Sequence, residues 1–454
     1  MTRTRRLVRT PYFYARAPTG RARDYKALSM PNLHSFLQRL FPICRSITGN
    51  GVRQTLSILK EELPGLQMHE VPSGSQVFDW TVPDEWNITE ARLTGPDGAI
   101  IADFSHCNLH VVGYSEPVDL MLSLEDLQEH LYSRPDLPEA IPYVTSYYAR
   151  RWGFCLKHSV REKLKPGMYH AVIKSTLAPG HLTYGELVLP GHSEKEVFLS
   201  TYVCHPSMAN NELSGPVVAL ALARWLQTAP RRYTYRFVFV PETIGSITYL
   251  SKNHQQLRER VVAGFNLTCL GDDRAYSYLP SRKGNTLADK AALHVLQHFA
   301  PDFVRYTFHD RGSDERQYCS PGIDLPLCSV MRTKYHVFPE YHTSLDDCSL
   351  VTEQGLQGGF EIMRKVLAAI EENATYQCKV LCEPQLGKRG LYPTLSTRYS
   401  CTEQVDLMMD LLAYADGTMS LLDEAEIVGA DVFRCSDVMR QLEEQGVVIR
   451  KMDD

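Results

Sequence analysis

The sequence predicts an α/β fold with a mixed, largely parallel sheet, a small β-rich insertion and a C-terminal winged-helix domain. Between residues 196 and 271, strand-length apolar runs alternate with helix-length segments, which is typical of a sheet with substantial parallel pairing. Residues 70–135 instead carry short runs that are broken by turn residues and show no helical period. At 454 residues, the chain is long enough to bury a large core and to carry such satellites.

The N-terminal residues 1–29 are predicted to be a flexible basic extension. They include the arginine-rich stretch MTRTRRLVRTPYFYARAPTGRARDY, which lacks the apolar core of a secretory signal. A basic arm that grips RNA or a partner protein is the alternative. The formal net charge of the chain is -5, which argues against a protein built to neutralise nucleic-acid phosphates.

Cysteine usage and hydropathy favour a cytoplasmic protein. The 12 cysteines are scattered along the chain without a CxxC pair, as expected for reduced thiols. No apolar run reaches the roughly 18 residues that cross a bilayer. We therefore expect a cytoplasmic location and no membrane partner, and a homo-oligomer is compatible with the sequence.

Residues 30–382 are predicted to form the main α/β domain around the insertion. Two amphipathic helices open it, and the helical stretch TEQGLQGGFEIMRKVLAAIEEN closes it. The runs GMYHAVIKSTL and GHLTYGELVLPG indicate two strands joined by a turn, and we expect them to pair as a hairpin.

Residues 383–454 are predicted to be the winged-helix domain, with three short helices and a terminal strand. Acidic residues outnumber basic ones in this segment, whereas a DNA-reading module needs a basic face. We therefore expect a domain that packs or contacts protein rather than nucleic acid.

Polar groups follow several of the predicted strands. His205 ends one apolar run, Glu242 ends the next, Asp272 follows a third, and His342 lies in a late polar loop. Because ligands bind beyond the carboxyl ends of parallel strands, these groups predict an active site at one sheet edge. Taken alone, a histidine is more often a hydrogen-bonded structural residue.

Two neighbouring residues invite a nucleophile hypothesis that we do not favour. Cys204 and His205 are adjacent, and neighbours on a strand point to opposite faces, so a catalytic dyad between them is not expected. Ser214 precedes Gly-Pro where a helix begins, which favours an N-cap over a nucleophile.

The order of these motifs resembles that of the co-catalytic zinc aminopeptidases and carboxypeptidases. The phrases CHPSMANNELSGP, RGSDERQYCSPGIDLP and EYHTSLDD, with the β-rich insertion and the winged helix, more closely resemble a bacterial family of aminopeptidase-like proteins of unknown function. The resemblance runs from about residue 31 to the C-terminus. It implies a sheet of zinc-aminopeptidase type, with His205 and His342 as zinc ligands and Glu242 as general base on metal-bound water.

Three carboxylates that the resemblance implies are absent. Asn211, Thr243 and Thr268 stand where a bridging aspartate, a second glutamate and a further aspartate are expected. Two divalent ions about 3.5 to 4 Å apart repel strongly and need anionic ligands, so we expect at most one zinc ion. Asn211, water or a nearby acid would complete its four-coordination. The sequence leaves three candidates for that acid, Asp272, Asp314 and Glu212.

The polar loop HDRGSDERQYCSPGIDLP supplies the remaining candidate site residues. We assign Asp314 to catalysis beside Glu242, and Glu315, Arg316 and Asp272 to substrate binding as ion-pair partners. A solvated charged loop is the alternative.

Two functions compete. The first is a metal-dependent hydrolase of aminopeptidase type that acts on an aminoacyl amide or short peptide, and that in a biosynthetic pathway would remove an amino acid. The second is a catalytically degenerate peptidase-like scaffold that acts as a binding or assembly protein.

Overall fold

The structure is a computed structural model that describes residues 32–391 and 400–451. The predicted basic extension, residues 1–29, lies outside the described residues. The helices are α1 (Leu33–Leu40), α2 (Asn50–Glu62), α3 (Leu124–Leu127), α4 (His158–Arg161), α5 (Ser214–Leu226), α6 (Ile244–Arg260), α7 (Leu287–Phe299), α8 (Glu315–Tyr318), α9 (Glu353–Glu372), α10 (Ser400–Tyr414), α11 (Leu421–Val428) and α12 (Val432–Glu444).

The strands are distributed over a main sheet, an inserted sheet, a C-terminal sheet and two small ribbons. They are β1 (Gln67–Pro72), β2 (Gln76–Val77), β3 (Trp80–Thr81), β4 (Glu85–Thr94), β5 (Ile100–Asp103), β6 (Val118–Ser123), β7 (Leu131–Tyr132), β8 (Phe154–Cys155), β9 (Met168–Ala178), β10 (His181–Leu189), β11 (Glu196–Tyr202), β12 (Thr234–Val240), β13 (Val261–Asn266), β14 (Ser277–Leu279), β15 (Val304–Arg305), β16 (Leu327–Met331), β17 (Thr375–Cys378), β18 (Asp416–Ser420) and β19 (Val448–Lys451).

The main sheet confirms the predicted mixed, largely parallel architecture. Its strand order is β1-β10-β12-β11-β13-β16-β14-β15. The four central strands β12, β11, β13 and β16 run parallel. β10 and β14 run antiparallel to their central neighbours and so flank the parallel block. The carboxyl ends of the four central strands therefore meet at one edge.

Each central strand is apolar on both faces because two layers cover the sheet. In β11, Val197 and Leu199 belong to the apolar cluster that includes α5 and α9, whereas Phe198 belongs to the cluster that includes α6. Successive residues of a strand point to opposite faces, so one strand supplies both layers. Helix α5 is buried along almost its whole length, which explains its nearly continuous apolar sequence.

The β-rich insertion forms an antiparallel sheet in the order β5-β4-β9-β6. Its longest strand, β9, lies beyond the predicted end of the insertion at residue 135, so the inserted sheet extends further along the chain than expected. The predicted hairpin of β9 and β10 is wrong. β9 pairs with β4 and β6, whereas β10 pairs with β1 and β12, so both edges of each strand are taken by other partners.

The C-terminal segment combines α10, α11 and α12 with a sheet in the order β18-β17-β19. Its first strand begins at Thr375, a few residues before the predicted boundary at 383. The segment is fastened to α7, because the backbone N–H of Val432 donates to His294 Nε2 at 2.9 Å and Lys290 pairs with Asp423 at 2.7 Å.

Two further features concern the cysteines and the helices. Every cysteine whose side chain is described is a free thiol. Within residues 32–391 and 400–451, no helix is both long and apolar enough to cross a membrane.

Candidate active site

Three predicted site residues meet at the carboxyl edge of the parallel strands. His205 lies just beyond β11 and Glu242 just beyond β12, and these strands are parallel neighbours. Glu242 Oε2 is 3.6 Å from His205 Nε2. His342 comes from the loop between β16 and α9, and its ring centroid lies 5.3 Å from that of His205. All three line one cavity of about 360 Å³.

Tyr143 contacts both histidines. Its backbone N–H donates to the carbonyl of His342 at 2.9 Å, which ties the two loops together. The Tyr143 ring lies 5.2 Å from the His205 ring and 5.1 Å from the His342 ring. Its hydroxyl is 2.5 Å from that of Tyr147.

His205 is oriented by a buried ion pair. Its Nδ1 lies 2.8 Å from Glu212 Oε2, and Glu212 Oε1 lies 3.5 Å from Arg45 Nε. Arg45 also donates to the backbone carbonyl of His205 at 3.0 Å. Burial raises the pKa of Glu212, and the charge of Arg45 opposes that rise. Because a guanidinium stays charged, Glu212 is its counter-ion and accepts the Nδ1–H bond. That bond leaves Nε2 of His205 as the free nitrogen on the cavity side.

The electrostatics keep both histidines neutral. Burial, together with the charge of Arg45, lowers the pKa of His205 to about 3. Burial also lowers the pKa of His342 to about 2, with His205 adding to the effect. A neutral imidazole is the form that binds a metal ion.

Glu242 is held at the cavity wall by two hydrogen bonds. Ser313 Oγ donates to Glu242 Oε1 at 2.7 Å, and the Glu242 backbone N–H donates to Cys204 Sγ at 3.2 Å. Burial raises the pKa of the Glu242 carboxyl, and the nearby Asp314 raises it further. A raised pKa makes the carboxylate a stronger base, which suits general-base chemistry.

The residue after Glu242 adopts a strained backbone. Thr243 has φ 63° and ψ -77°, which is unusual for a β-branched residue. Its N–H donates to Asp314 Oδ1 at 2.7 Å, and Ser246 Oγ donates to the same oxygen at 2.9 Å. Asp314 thereby stabilises the turn between β12 and α6 and fixes the direction of Glu242.

The residues present fit one zinc ion. His342 Nε2 is a buried nitrogen that has no hydrogen-bond partner among the described residues. It shares the cavity with His205 Nε2, which Glu212 leaves free, and with the Glu242 carboxylate. Two imidazoles are donors that zinc accepts, and water can complete the coordination beside the Glu242 carboxylate.

A second cluster, Cys204, His205 and Glu212, is less suited to a cation. Their ligand atoms lie within 4.8 Å of one another, a grouping that no other three His, Cys, Asp or Glu of the described part of the chain make. However, the Arg45 guanidinium already occupies the cationic position beside Glu212. Burial also raises the pKa of the Cys204 thiol, whereas zinc takes a thiolate. This cluster therefore orients His205 through hydrogen bonds and charge.

The expectation that Cys204 and His205 point to opposite faces is wrong. β11 ends at Tyr202, so strand alternation does not apply to these residues, and Cys204 Sγ lies 3.4 Å from His205 Nδ1. The raised pKa of the thiol and the use of Nδ1 by Glu212 still argue against a thiol nucleophile.

Comparison with known proteins places this geometry in a family. The sequence model described as "Domain of unknown function (DUF4910)" matches residues 34–373. The chain belongs to the DUF4910 family. A winged helix-turn-helix model matches residues 374–450.

Relatives and solved structures agree with the predicted fold. A Clostridium acetobutylicum protein described as "Putative polysaccharide biosynthesis protein with aminopeptidase-like domain" is 42% identical over 403 residues, which are 88% of this chain and 92% of the relative. A crystal structure from the same organism matches with a TM-score of 0.87 and 40% identity, covering 92% of this chain and 96% of the other. A zinc aminopeptidase from Bacillus subtilis matches with a TM-score of 0.54 and 15% identity, covering 76% and 96%. The predicted aminopeptidase-like fold and the resemblance are confirmed.

In this DUF4910 chain, two of the three positions that lack the expected carboxylates are joined by neutral hydrogen bonds. Tyr202 donates its hydroxyl to Asn211 Oδ1 at 2.7 Å, and the same hydroxyl lies 2.6 Å from Thr268 Oγ1. At the third position, Thr243 Oγ1 accepts from Arg316 at 3.2 Å. The amide oxygen of Asn211 is thus engaged, and its role as a metal ligand stays a prediction.

Other predicted site residues of the DUF4910 chain lie outside the cavity lining. Asp314, Asp272 and Glu315 are buried and hydrogen-bonded to the protein itself. Asp272 accepts from Thr333 at 2.7 and 3.0 Å. Glu315 accepts from two backbone N–H groups of its own loop at 2.8 and 3.0 Å. These bonds explain all three carboxylates structurally, so their catalytic and substrate roles, like that of the exposed Arg316, stay predictions.

Two residues that position the candidate site were missed by the sequence analysis. Asp346 accepts from the backbone N–H groups of Asn210 and Asn211 at 2.6 and 2.9 Å. It thereby caps the π-helical turn Ala209–Leu213, which runs directly into α5, so the predicted N-cap role of Ser214 is wrong. Arg45 is the second residue that the sequence analysis missed. Glu212 and His205, its partners, lie far away in the sequence, and only the apolar residues around Arg45 in the chain indicated that it is buried.

Glu212→Gln is expected to weaken zinc binding by about 10- to 100-fold, because the partner that orients His205 loses its charge. It also leaves Arg45 buried without a counter-ion, which costs about 3 to 5 kcal/mol of folding free energy. Chelator competition measures the change in zinc affinity, and calorimetry measures the loss of stability.

Asp289→Asn is the control, since Asp289 is equally buried but caps the start of α7. It should lose stability without losing zinc affinity. Unchanged zinc affinity in Glu212→Gln would contradict the orienting role.

Proposed function

We propose that the chain is a metal-dependent hydrolase of aminopeptidase type that cleaves an aminoacyl amide or a short peptide. The observation that carries the proposal is the meeting of His205, Glu242 and His342 in one cavity at the carboxyl edge of the parallel strands. A buried, unpartnered imidazole nitrogen beside a base of raised pKa suits hydrolysis better than a purely structural role.

The protein groups divide the reaction between them. His205 and His342 would hold a zinc ion, which when bound supplies Lewis acidity toward the amide carbonyl. Glu242 removes a proton from the attacking water and delivers it to the leaving nitrogen. Ser313 holds the Glu242 carboxylate, and Asp314 holds the turn that follows it.

A biosynthetic role is part of the proposal. The Clostridium relative is described with polysaccharide biosynthesis, which supports a substrate from glycan metabolism over general peptide turnover. Removal of an amino acid or acyl group from a sugar precursor fits both that description and amide hydrolysis.

A catalytically degenerate scaffold is the second candidate. The neutral contacts at Asn211 and Thr268 favour it, because they replace acids that the resemblance implies. The winged helix would then contact a partner protein. The acidic balance of that segment makes nucleic acid the less favoured partner, although its fold leaves that binding open.

Chelation separates the two candidates. The purified full-length chain is assayed with leucine p-nitroanilide and with N-acetylated amino sugars, before and after treatment with 1,10-phenanthroline. A hydrolase loses activity with the chelator and regains it with zinc. His342→Ala should stay inactive after zinc is added. Absence of hydrolysis by the zinc-supplemented wild-type chain across the panel would favour the scaffold.

A further inference from the structure

Four aromatic side chains line the cavity together with the histidines and Glu242. Tyr143 contacts His205 and His342, Tyr147 lies beside Tyr143, and Trp80 and Tyr148 also line the cavity. These four rings come from two separate segments, the β2-β3 ribbon and the loop between β7 and β8. The cavity therefore combines the candidate hydrolytic groups with aromatic surface.

Trp80 and Tyr148 form a water-facing platform at the mouth. Their ring centroids lie 5.7 Å apart at an interplanar angle of 64°. Trp80 remains 40% exposed and Tyr148 57% exposed. The Tyr148 hydroxyl donates to the carbonyl of Thr81 at 3.4 Å, which links the two segments. Large aromatic faces left in water beside a cavity mark a binding site for a ligand with an apolar face.

The charge of the cavity lining narrows the ligand class. Among the described residues that line it, Glu242 is the one carboxylate, and no lysine or arginine is present. A free peptide presents an ammonium or carboxylate end, and a buried charge needs a counter-charge. Glu242 must keep its lone pair for the proton of water, so it is poorly placed to neutralise an ammonium group. The lining suits an uncharged ligand with an apolar face that can lie against the aromatic side chains.

We propose that the cavity selects an N-acylated amino sugar, with the sugar ring on Trp80 and Tyr148 and the amide beside Glu242. This inference rests on the proposed amide hydrolysis and narrows its substrate to an acylated sugar precursor, in place of an aminoacyl amide or a peptide. In the reaction, the C–N bond of the amide breaks and a C–O bond to water forms. One proton of that water passes through Glu242 to the nitrogen, which leaves as the sugar amine, and the acyl group leaves as a carboxylic acid.

Direct binding tests the platform without requiring turnover. Isothermal titration of Glu242→Gln with methyl N-acetyl-β-glucosaminide is compared with titration by leucinamide, which carries an ammonium group. We expect saturable binding of the glycoside and weaker binding of leucinamide. Trp80→Leu and Tyr148→Leu, each made in the Glu242→Gln background, should weaken glycoside binding by roughly tenfold, the loss expected for one aromatic contact.

Phe78→Leu in the same background is the matched control. Phe78 is an exposed aromatic residue two positions from Trp80, but it contacts His254 and does not line the cavity. It should leave glycoside binding unchanged. Circular dichroism checks that each variant is folded, and Tyr148→Leu replaces Trp80→Leu if the latter is not.

The outcomes separate this inference from the proposed hydrolysis. Glycoside binding that depends on Trp80 or Tyr148, without cleavage of any amide by the wild-type chain, supports the sugar platform and counts against hydrolysis. Cleavage of leucine p-nitroanilide with no glycoside binding supports hydrolysis and overturns the platform. Glycoside binding that is equal in both platform variants and in Phe78→Leu also overturns it.

Discussion

Glu242→Gln is expected to lower the rate of amide hydrolysis by about 10²- to 10⁴-fold, the usual contribution of a general base. The substitution is nearly isosteric and retains an oxygen that can accept from Ser313, so the fold should be unchanged. It removes the group whose pKa burial and Asp314 raise, and therefore the acceptor for the proton of water. Steady-state rates with zinc added, beside the zinc content of each protein, measure the effect.

Glu340→Gln is the matched control for this experiment. Glu340 lies just before His342 in sequence, pairs with Arg274 at 2.7 and 2.9 Å, and does not line the cavity. Its replacement should leave the rate within about twofold of wild type, as expected for a surface ion pair. Hydrolysis by Glu242→Gln at the wild-type rate would show that another group accepts the proton.

The sheet edge that carries the site was predictable from sequence. His205 and Glu242 each follow an apolar run, and parallel strands bring their carboxyl ends together. The alternation of apolar runs with helices therefore placed two side chains within 3.6 Å although 37 positions separate them. A local pattern sufficed here because the geometry of parallel pairing is regular.

Strand partners were less predictable, because a strand pattern does not specify its neighbours. β9 and β10 are joined by a short turn and look like a hairpin, yet β9 completes the inserted sheet and β10 the main sheet. Pairing depends on contacts with β4 and β12, which lie far away in the chain. The turn alone could not reveal that the chain passes from one sheet to the other at this point.

The partners of the buried polar side chains were also not predictable from the sequence. Glu212 was one of three open candidates for a metal ligand, and the structure instead pairs it with His205 Nδ1 and Arg45. A carboxylate has the same sequence signature in either role. Its assignment depends on the Arg45 guanidinium, which lies beside Glu212 and the His205 carbonyl only in the folded chain. The burial of Glu212 beside Arg45, more than its residue type, favours the role of orienting His205 over the role of binding a metal ion.

The folded chain is expected to bind at most one zinc ion. His205 and His342 offer two nitrogens in one cavity, but the further ligand positions hold Asn211, Thr243 and Thr268. Asn211 is engaged by the Tyr202 hydroxyl and Thr243 lies beside the cationic Arg316, so nothing there offsets the repulsion between two cations. Elemental analysis of protein purified without chelator or added metal, followed by zinc titration, measures the stoichiometry.

Variants that remove a histidine or add a carboxylate test the zinc prediction. His205→Ala should abolish zinc binding, whereas His181→Ala, at an exposed position on β10, should not. Asn211→Asp should raise zinc affinity, because an aspartate still accepts from Tyr202 and adds the missing charge. A second ion should bind only when Thr243→Glu accompanies that change. About two zinc ions per wild-type chain, both lost in His205→Ala, would mean that buried acids such as Asp272 or Asp314 exchange their present hydrogen bonds for coordination.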